Sequence, residues 1–356
     1  MSGSLALLGG FESFALTIDE RPLSLEGPIQ LNANENPYGP SAKVREVMKG
    51  SFDFACRYPF RTLSEFVQKI AEKEGVTKDH IVVTGGSTEG LKACGLVYGR
   101  DGSEIVAADP TFQALLRYGE TFGAKVHRVA LNDKMEHDLE AMSDKINDKT
   151  GLVFICNPNN PSGTLLEANK LIDFCLAHDD KAMMFSDEAY YDFITEPDYP
   201  SMVDLVKKGR NVIVSRTFSK VYGMAGLRIG YLIAKPEIAR PLRAAVMANT
   251  NILALEAAKT ALLDDEFYQF SILKTQEAKK MIYQTLDDLN LPYVRSHTNF
   301  VFFKSGWNIN ELLPAMRAKG VEIGRPFPPL YDWARISTGT NEEMELFSSA
   351  LKSVIS

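Results

Sequence analysis

Short apolar runs alternate with longer amphipathic stretches through the middle of the chain. The runs at 81–84 (IVVT), 104–109 (EIVAAD), 125–131 (KVHRVAL), 151–158 (GLVFICNP), 182–190 (AMMFSDEAY), 211–218 (NVIVSRTF) and 228–234 (RIGYLIA) have the length and composition of strands. Several are apolar almost throughout instead of alternating, as in a sheet covered by helices on both faces. Between them, stretches such as TEGLKACGLVYG and LEANKLIDFCLAHD carry helical spacing. This rhythm predicts an α/β doubly wound domain, a three-layer sandwich around a mainly parallel sheet. From about residue 251 the texture changes. One long helix is predicted over 252–289, followed by strands in TNFVFFK and ARISTGT. We read residues 42–250 as the large α/β domain, and 1–41 with 251–356 as an N-terminal arm plus a smaller α+β domain.

Composition narrows the function classes. The 356 residues carry a net charge of −7, which offers no electrostatic case for nucleic acid or an anionic membrane. Four cysteines, Cys56, Cys94, Cys156 and Cys175, are widely spaced with no CxxC pair, so free thiols in a reducing compartment are expected. The N-terminus MSGSLALLGGFESFAL lacks a basic region and a cleavage-like box, and no run is long enough to span a bilayer. A cytoplasmic location is the expectation. The five histidines (His80, His127, His137, His178, His297) show no ligand spacing, so no metal site is assigned.

Candidate chemistry clusters where predicted strands end, the edge at which open α/β sheets bind ligands. IVVT runs into GGSTEG, residues 85–90, with a helical pattern behind it. Glycines followed by a helix N-terminus suit a phosphate; an ordinary turn with Ser87 or Thr88 as N-cap explains the same residues. No GxGxxG or GxxxxGK[ST] occurs, so nicotinamide and nucleotide-triphosphate binding lack their usual support. In GLVFICNPNNPSGT, Asn157, Asn159 and Asn160 serve equally as turn formers or, for Asn160, as a ligand amide. Asp187 and Glu188 close a very apolar strand, and a carboxylate there needs a partner: a salt bridge or a cationic ligand. Tyr190 follows three residues on. Lys220 stands at the end of the next run, with Thr217 and Ser219 before it and Arg228 after it. Hydroxyls and a guanidinium suit a phosphate dianion, and a lysine beside them is pushed towards its neutral, nucleophilic form. These are the parts needed to hold pyridoxal phosphate as a Schiff base.

The motifs NENPYGPS, RYP, NPNNPSGT, DEAYYDF, RTFSKVYGMAGLRIGY and RIS-GT together resemble fold-type-I pyridoxal-phosphate-dependent aminotransferases of the class I/II superfamily, in particular the histidinol-phosphate aminotransferase branch. The resemblance extends from residue 31 to residue 340. It implies that Lys220 is the Schiff-base lysine and proton carrier, that Asp187 pairs with the pyridinium nitrogen, and that Asn160 and Tyr190 hydrogen-bond the phenolic oxygen. It further implies that Ser87, Thr88, Thr217, Ser219 and Arg228 hold the phosphate and that Phe112 stacks on the ring. Tyr58 would reach the phosphate of a neighbouring subunit, making a homodimer with a shared active site. Arg335 and Arg325 would bind the anionic group of the substrate, with Asn34, Glu35 and Tyr38 in an arm over it. The implied reaction is a ping-pong transfer of an amino group from an L-amino acid or histidinol phosphate to a 2-oxo acid, 2-oxoglutarate being expected. The segment between Arg325 and Arg335 is short for the branch, and VMANTNILAL replaces a segment usual there. An aromatic amino acid donor, or a decarboxylase or oxidase on the same scaffold, therefore stays open.

Overall fold

A computed structural model describes residues 27–355. The first part of the expected arm, residues 1–26, with the stretch read as lacking an export signal, lies outside the described residues. The described residues form eleven strands: β1 (Ile29–Gln30), β2 (Ile81–Thr84), β3 (Glu104–Asp109), β4 (Lys125–Ala130), β5 (Thr150–Cys156), β6 (Met183–Asp187), β7 (Val212–Thr217), β8 (Gly230–Ile233), β9 (Phe300–Lys304), β10 (Val321–Glu322) and β11 (Trp333–Ser337). Seven form the main sheet in the order β2-β8-β7-β6-β5-β3-β4, in which β8 alone runs against its neighbours.

The sheet explains why its strands are apolar throughout. Val106, Val153, Ile155, Met184 and Val214 face one hydrophobic cluster, under helices that include Phe60–Glu74, Ala168–His178 and Ile252–Ala261. The alternate residues Ile105, Ala107, Leu152, Phe154, Phe185 and Ile213 face a second cluster, under helices Ser87–Tyr98, Ala114–Thr121 and Pro236–Ala245. With both faces buried, each large side chain contributes about 1.5–3 kcal/mol, so alternation disappears. β4, at the sheet edge, keeps polar and charged positions, as an exposed edge requires. This is the three-layer α/β architecture expected.

A third cluster gathers the C-terminal elements. β9 and β11 pair antiparallel, and helices Asp265–Asp288, Ile309–Ala318 and Asn341–Ile355 pack around them. The N-terminal segment joins this region through a two-residue parallel pairing of β1 with β10.

Three local expectations need correction. The single helix expected over 252–289 is two helices, Ile252–Ala261 and Asp265–Asp288. The break falls at Asp264, whose buried carboxylate is held by Lys43 Nζ at 2.8 Å, a tertiary contact that sequence periodicity does not contain. The run at 182–190 leaves the sheet after Asp187, because Glu188 folds back onto Arg216. The run at 228–234 begins its strand only at Gly230, since Arg228 adopts a left-handed backbone with φ 54°. No helix of the described residues is long and apolar enough to cross a membrane.

Glu188 and Arg216 form a buried ion pair of 2.8 Å between the ends of β6 and β7. The carboxylate also accepts from the backbone N–H of Met202 and the hydroxyl of Ser201, each at 2.8 Å, and the guanidinium lies 4.1 Å from the centre of the Tyr191 ring. Replacing Glu188 by Ala leaves a guanidinium buried without its counter-ion. Chemical denaturation should show a loss of about 3–5 kcal/mol for Glu188→Ala, and a smaller loss for the isosteric Glu188→Gln.

Candidate active site

The carboxyl ends of the strands open onto a cavity of about 650 Å³. Each strand end delivers its polar residue to the same place because β2, β3, β5, β6 and β7 run in one direction. Lys220, Asp187, Tyr190, Asn160, Phe112, Ser87, Thr88, Ser219, Arg228, Arg335, Arg325, Asn34 and Glu35 all line it.

The floor of the cavity is Asp187, at the end of β6 between Cys156 of β5 and Ser215 of β7. It is buried, and its Oδ1 has no hydrogen-bond partner among the described residues. Burial therefore pushes its carboxyl up to about 7. Lys220 is half-buried above it. Removal from water, and next the guanidinium of Arg335, bring its amine down to about 7. In the structure Nζ donates to the carbonyl oxygens of Asn34 (2.8 Å) and Ala33 (3.4 Å). A lysine poised near neutrality has the protonation state that a nucleophile requires.

At one end the cavity holds an anion cradle. Gly86, with φ +81°, precedes helix Ser87–Tyr98, whose first N–H groups receive no side-chain cap. A Cβ at Gly86 would collide with the Arg228 guanidinium, and one at Gly230 would lie 2.8 Å from the Ser87 nitrogen. Glycine at both places lets the helix start, β8 and Arg228 meet. Arg228 Nη1 donates to Ala225 O (2.7 Å) and Ser219 Oγ (3.4 Å), and Thr217 Oγ1 donates to Ser219 Oγ (2.9 Å). Thr217 thus lies behind Ser219 and outside the cavity lining.

At the other end, Arg335 of β11 is buried. Its Nη1 donates to Asn160 Oδ1 (2.7 Å) and its Nη2 to the carbonyl of Asn32 (2.6 Å), while Nε has no partner. Arg325 stands beside it, 4.4 Å from the centre of the Phe327 ring. Besides Thr217, two more expected residues lie outside the lining. Tyr38 packs edge-on against Phe270, and Tyr58 is exposed, stacked on Phe60 at 5.7 Å.

The sequence reading missed Ala189 and Cys156, which line the cavity, and Asn32 and Ser337, which hold its residues in place. Ser337 had a usable signal. It sits two residues after Arg335 on a strand, hence on the same face, while Ala334 and Ile336 face the third cluster.

These residues fit a phosphorylated pyridine aldehyde. The bare Asp187 oxygen suits a protonated ring nitrogen, the Gly86–Arg228 cradle suits a phosphate dianion, and Lys220 suits the aldehyde carbon. The fold and the site are those of a pyridoxal-phosphate-dependent transferase. The chain belongs to the aminotransferase class I and II family, which matches residues 26–351, and it is a pyridoxal-phosphate-dependent aminotransferase. It is 35% identical over 339 residues to histidinol-phosphate aminotransferase 1 of Bacillus cereus, covering 94% of this chain and 91% of that one. It is 36% identical over 339 residues to the histidinol-phosphate aminotransferase of Moorella thermoacetica, covering 94% and 88%. Its fold is similar to that of a histidinol-phosphate aminotransferase from Sinorhizobium meliloti, solved in complex with pyridoxal-5'-phosphate, with a TM-score of 0.85, 26% identity and coverage of 97% and 98%.

The two perturbed groups give the cofactor-free protein a characteristic pH profile. Folded Asp187 keeps its proton up to about 7, against 3.8 ordinarily, so the folded state binds more protons between these values. Its contribution to stability falls as pH rises from 3.8 to about 7. Folded Lys220 loses its proton near 7, against 10.5 ordinarily, so its contribution rises from about 7 to 10.5. Thermal melts of cofactor-free protein should lose the acid-side slope in Asp187→Asn and the alkaline-side slope in Lys220→Met. An unchanged acid limb in Asp187→Asn would refute the burial of a bare carboxylate.

Proposed function

We propose that the amino donor is histidinol phosphate and the acceptor a 2-oxo acid, with 2-oxoglutarate the first candidate. The observation that carries this reading is the pair of guanidiniums, Arg335 and Arg325, at the end of the cavity opposite Arg228. Arg228 has the cofactor's own phosphate to serve, so two cations remain for the substrate's anion. A phosphate dianion matches two guanidiniums better than a single carboxylate does. The names of the relatives support the same donor.

Bound pyridoxal phosphate supplies a ring that withdraws electrons from the substrate carbon being deprotonated. The rest is the work of the chain. Lys220 Nζ, its amine brought down to about 7, would take the proton from that carbon and deliver it to the carbon that carries the cofactor's aldehyde. Asp187 Oδ1 accepts from the ring nitrogen and keeps it protonated. Ser219, Arg228 and the N–H groups of Ser87 and Thr88 fix the phosphate, and Thr217 orients Ser219. Phe112 packs on one face of the ring. Tyr190 and Asn160 serve the phenolic oxygen, and Arg335 with Arg325 holds the substrate so that the bond to be broken stands across the ring.

The assembly we propose is a homodimer. Phe52, Phe54, Tyr58 and Phe60 form an exposed aromatic surface in the single chain, more than a solitary exposed residue would be. A second copy covering it would bring Tyr58 towards the neighbouring phosphate cradle. The solution mass should then be twice 39.5 kDa. Free buried thiols at Cys94, Cys156 and Cys175 favour a reducing compartment, and we place the protein in the cytoplasm. The division at residues 42 and 251 into a large domain and an arm with a small domain belongs to the same proposal.

The test is a half-reaction screen that follows loss of the cofactor's visible absorbance. Histidinol phosphate should react, and Arg325→Ala should raise KM for it by about tenfold or more while barely affecting unphosphorylated amines. Lys220→Ala should lower turnover by about four orders of magnitude and lose the label that borohydride fixes at position 220. Reaction with free aromatic amino acids but not with histidinol phosphate would overturn the donor assignment.

A further inference from the structure

Tyr190 is buried, and its phenolic oxygen accepts two hydrogen bonds, from Asn34 Nδ2 at 2.9 Å and from Asn160 Nδ2 at 3.4 Å. The orientation of the Asn160 amide is dictated by a group with a single option: its Oδ1 faces Arg335 Nη1, and a guanidinium only donates. Asn34 Oδ1 accepts from Ser337 Oγ at 3.0 Å, and that hydroxyl accepts from the backbone N–H of Asn34 at 2.9 Å. Each amide is therefore left with its NH2 towards Tyr190. A phenol has two lone pairs and one proton. With both lone pairs engaged, the proton has to be given to a third group, on the cavity side.

We propose that Asn34 is a positioning residue for the transamination site, acting through Tyr190 by occupying a lone pair and so aiming the phenolic proton into the cavity. The inference rests on the reading above that the cofactor's phenolic oxygen lies next to Tyr190. It gives Asn34 a task other than touching the substrate: its backbone N–H and carbonyl, its Oδ1 and one N–H of its Nδ2 are engaged within the protein. The backbone carries the same sign of purpose. Asn34 sits at φ 55°, a left-handed conformation that asparagine tolerates better than most residues. Its carbonyl accepts from Lys220 Nζ (2.8 Å) and Asn299 Nδ2 (3.1 Å). One residue from the N-terminal segment thus meets the lysine, the tyrosine and the strand that carries Arg335.

The direction of the bond makes the idea testable. Asn34→Asp keeps size, tolerance of the left-handed backbone and the bond from Ser337, but presents an acceptor to Tyr190. The phenol then turns its proton towards position 34 and away from the cavity. In the cofactor-loaded protein, the pH midpoint of the visible absorbance change should rise by about one unit in Asn34→Asp and by about half a unit in Asn34→Gly. Cofactor affinity, read by titrating cofactor-free protein, should fall several-fold in both. Arg335, Asp187, Lys220 and the Cys156 thiol surround the phenol in all variants, and Asn34→Asp adds a carboxylate to them, so the uncharged Asn34→Gly decides. In a Tyr190→Phe background the Asn34→Gly shift should vanish, since there is no proton left to aim, and the Asn34→Asp shift should shrink to the effect of its charge. A purely structural asparagine would leave Asn34→Gly near the parent value, or would shift Tyr190→Phe equally, and either result overturns the proposal. Parent protein with no visible absorbance after loading would instead defeat the cofactor placement on which the inference stands.

Discussion

Asp187 is a carboxyl group buried at the end of a central strand with one oxygen unpartnered, and the rest of the site is arranged around that fact. An unpaired carboxylate in such a place is penalised by several kcal/mol and holds its proton abnormally late. The neighbouring cations do not outweigh burial, although the charge of Lys220 acts to lower the carboxyl. Arg216 is bound to Glu188, and the Lys220 amine is turned to the carbonyls of Ala33 and Asn34. In the function proposed, an N–H donor on the ligand ring completes Asp187, and the cost of burial becomes a means of keeping that ring protonated.

Asp187 and Glu188 show how one residue of offset separates chemistry from architecture. Both are buried acids at the same strand end. Asp187 points into the cavity and stays bare. Glu188 turns back onto Arg216, Ser201 and the Met202 amide, all within 2.8 Å, and ties the ends of β6 and β7 together. A hydrogen-bonded ion pair beside Asp187 ties the strand ends without reaching the Asp187 Oδ1.

The substrate side of the cavity depends on a long-range joint. Arg335 and Ser337 come from β11, Asn32 and Asn34 from the N-terminal segment some 300 positions earlier, and Asn160 and Tyr190 from the main sheet. Their hydrogen bonds form one chain from Arg335 to the phenol beside the lysine. In such a network the donors and acceptors orient one another, and the whole chain, more than any single bond, sets which way a proton points.

Much of this was legible in the residues themselves. Near-continuous apolar runs announced a sheet buried on both faces, and the polar clusters at 85–90, 157–160, 187–190 and 217–220 marked strand ends, because burial leaves a polar residue nowhere else to go. Lys220 among hydroxyls and glycines therefore already suggested a held amine. What the linear pattern could not contain were contacts between residues far apart in the chain. The break between the helices at Asp264 depends on Lys43, the turn after Asp187 on Arg216, and the donor directions around Tyr190 on Ser337 and Arg335. Hydrophobic periodicity records which face of an element is buried, and so it determined the elements and the edge at which they end. Hydrogen-bond direction depends on which side chains meet, and only the packed tertiary structure decided that.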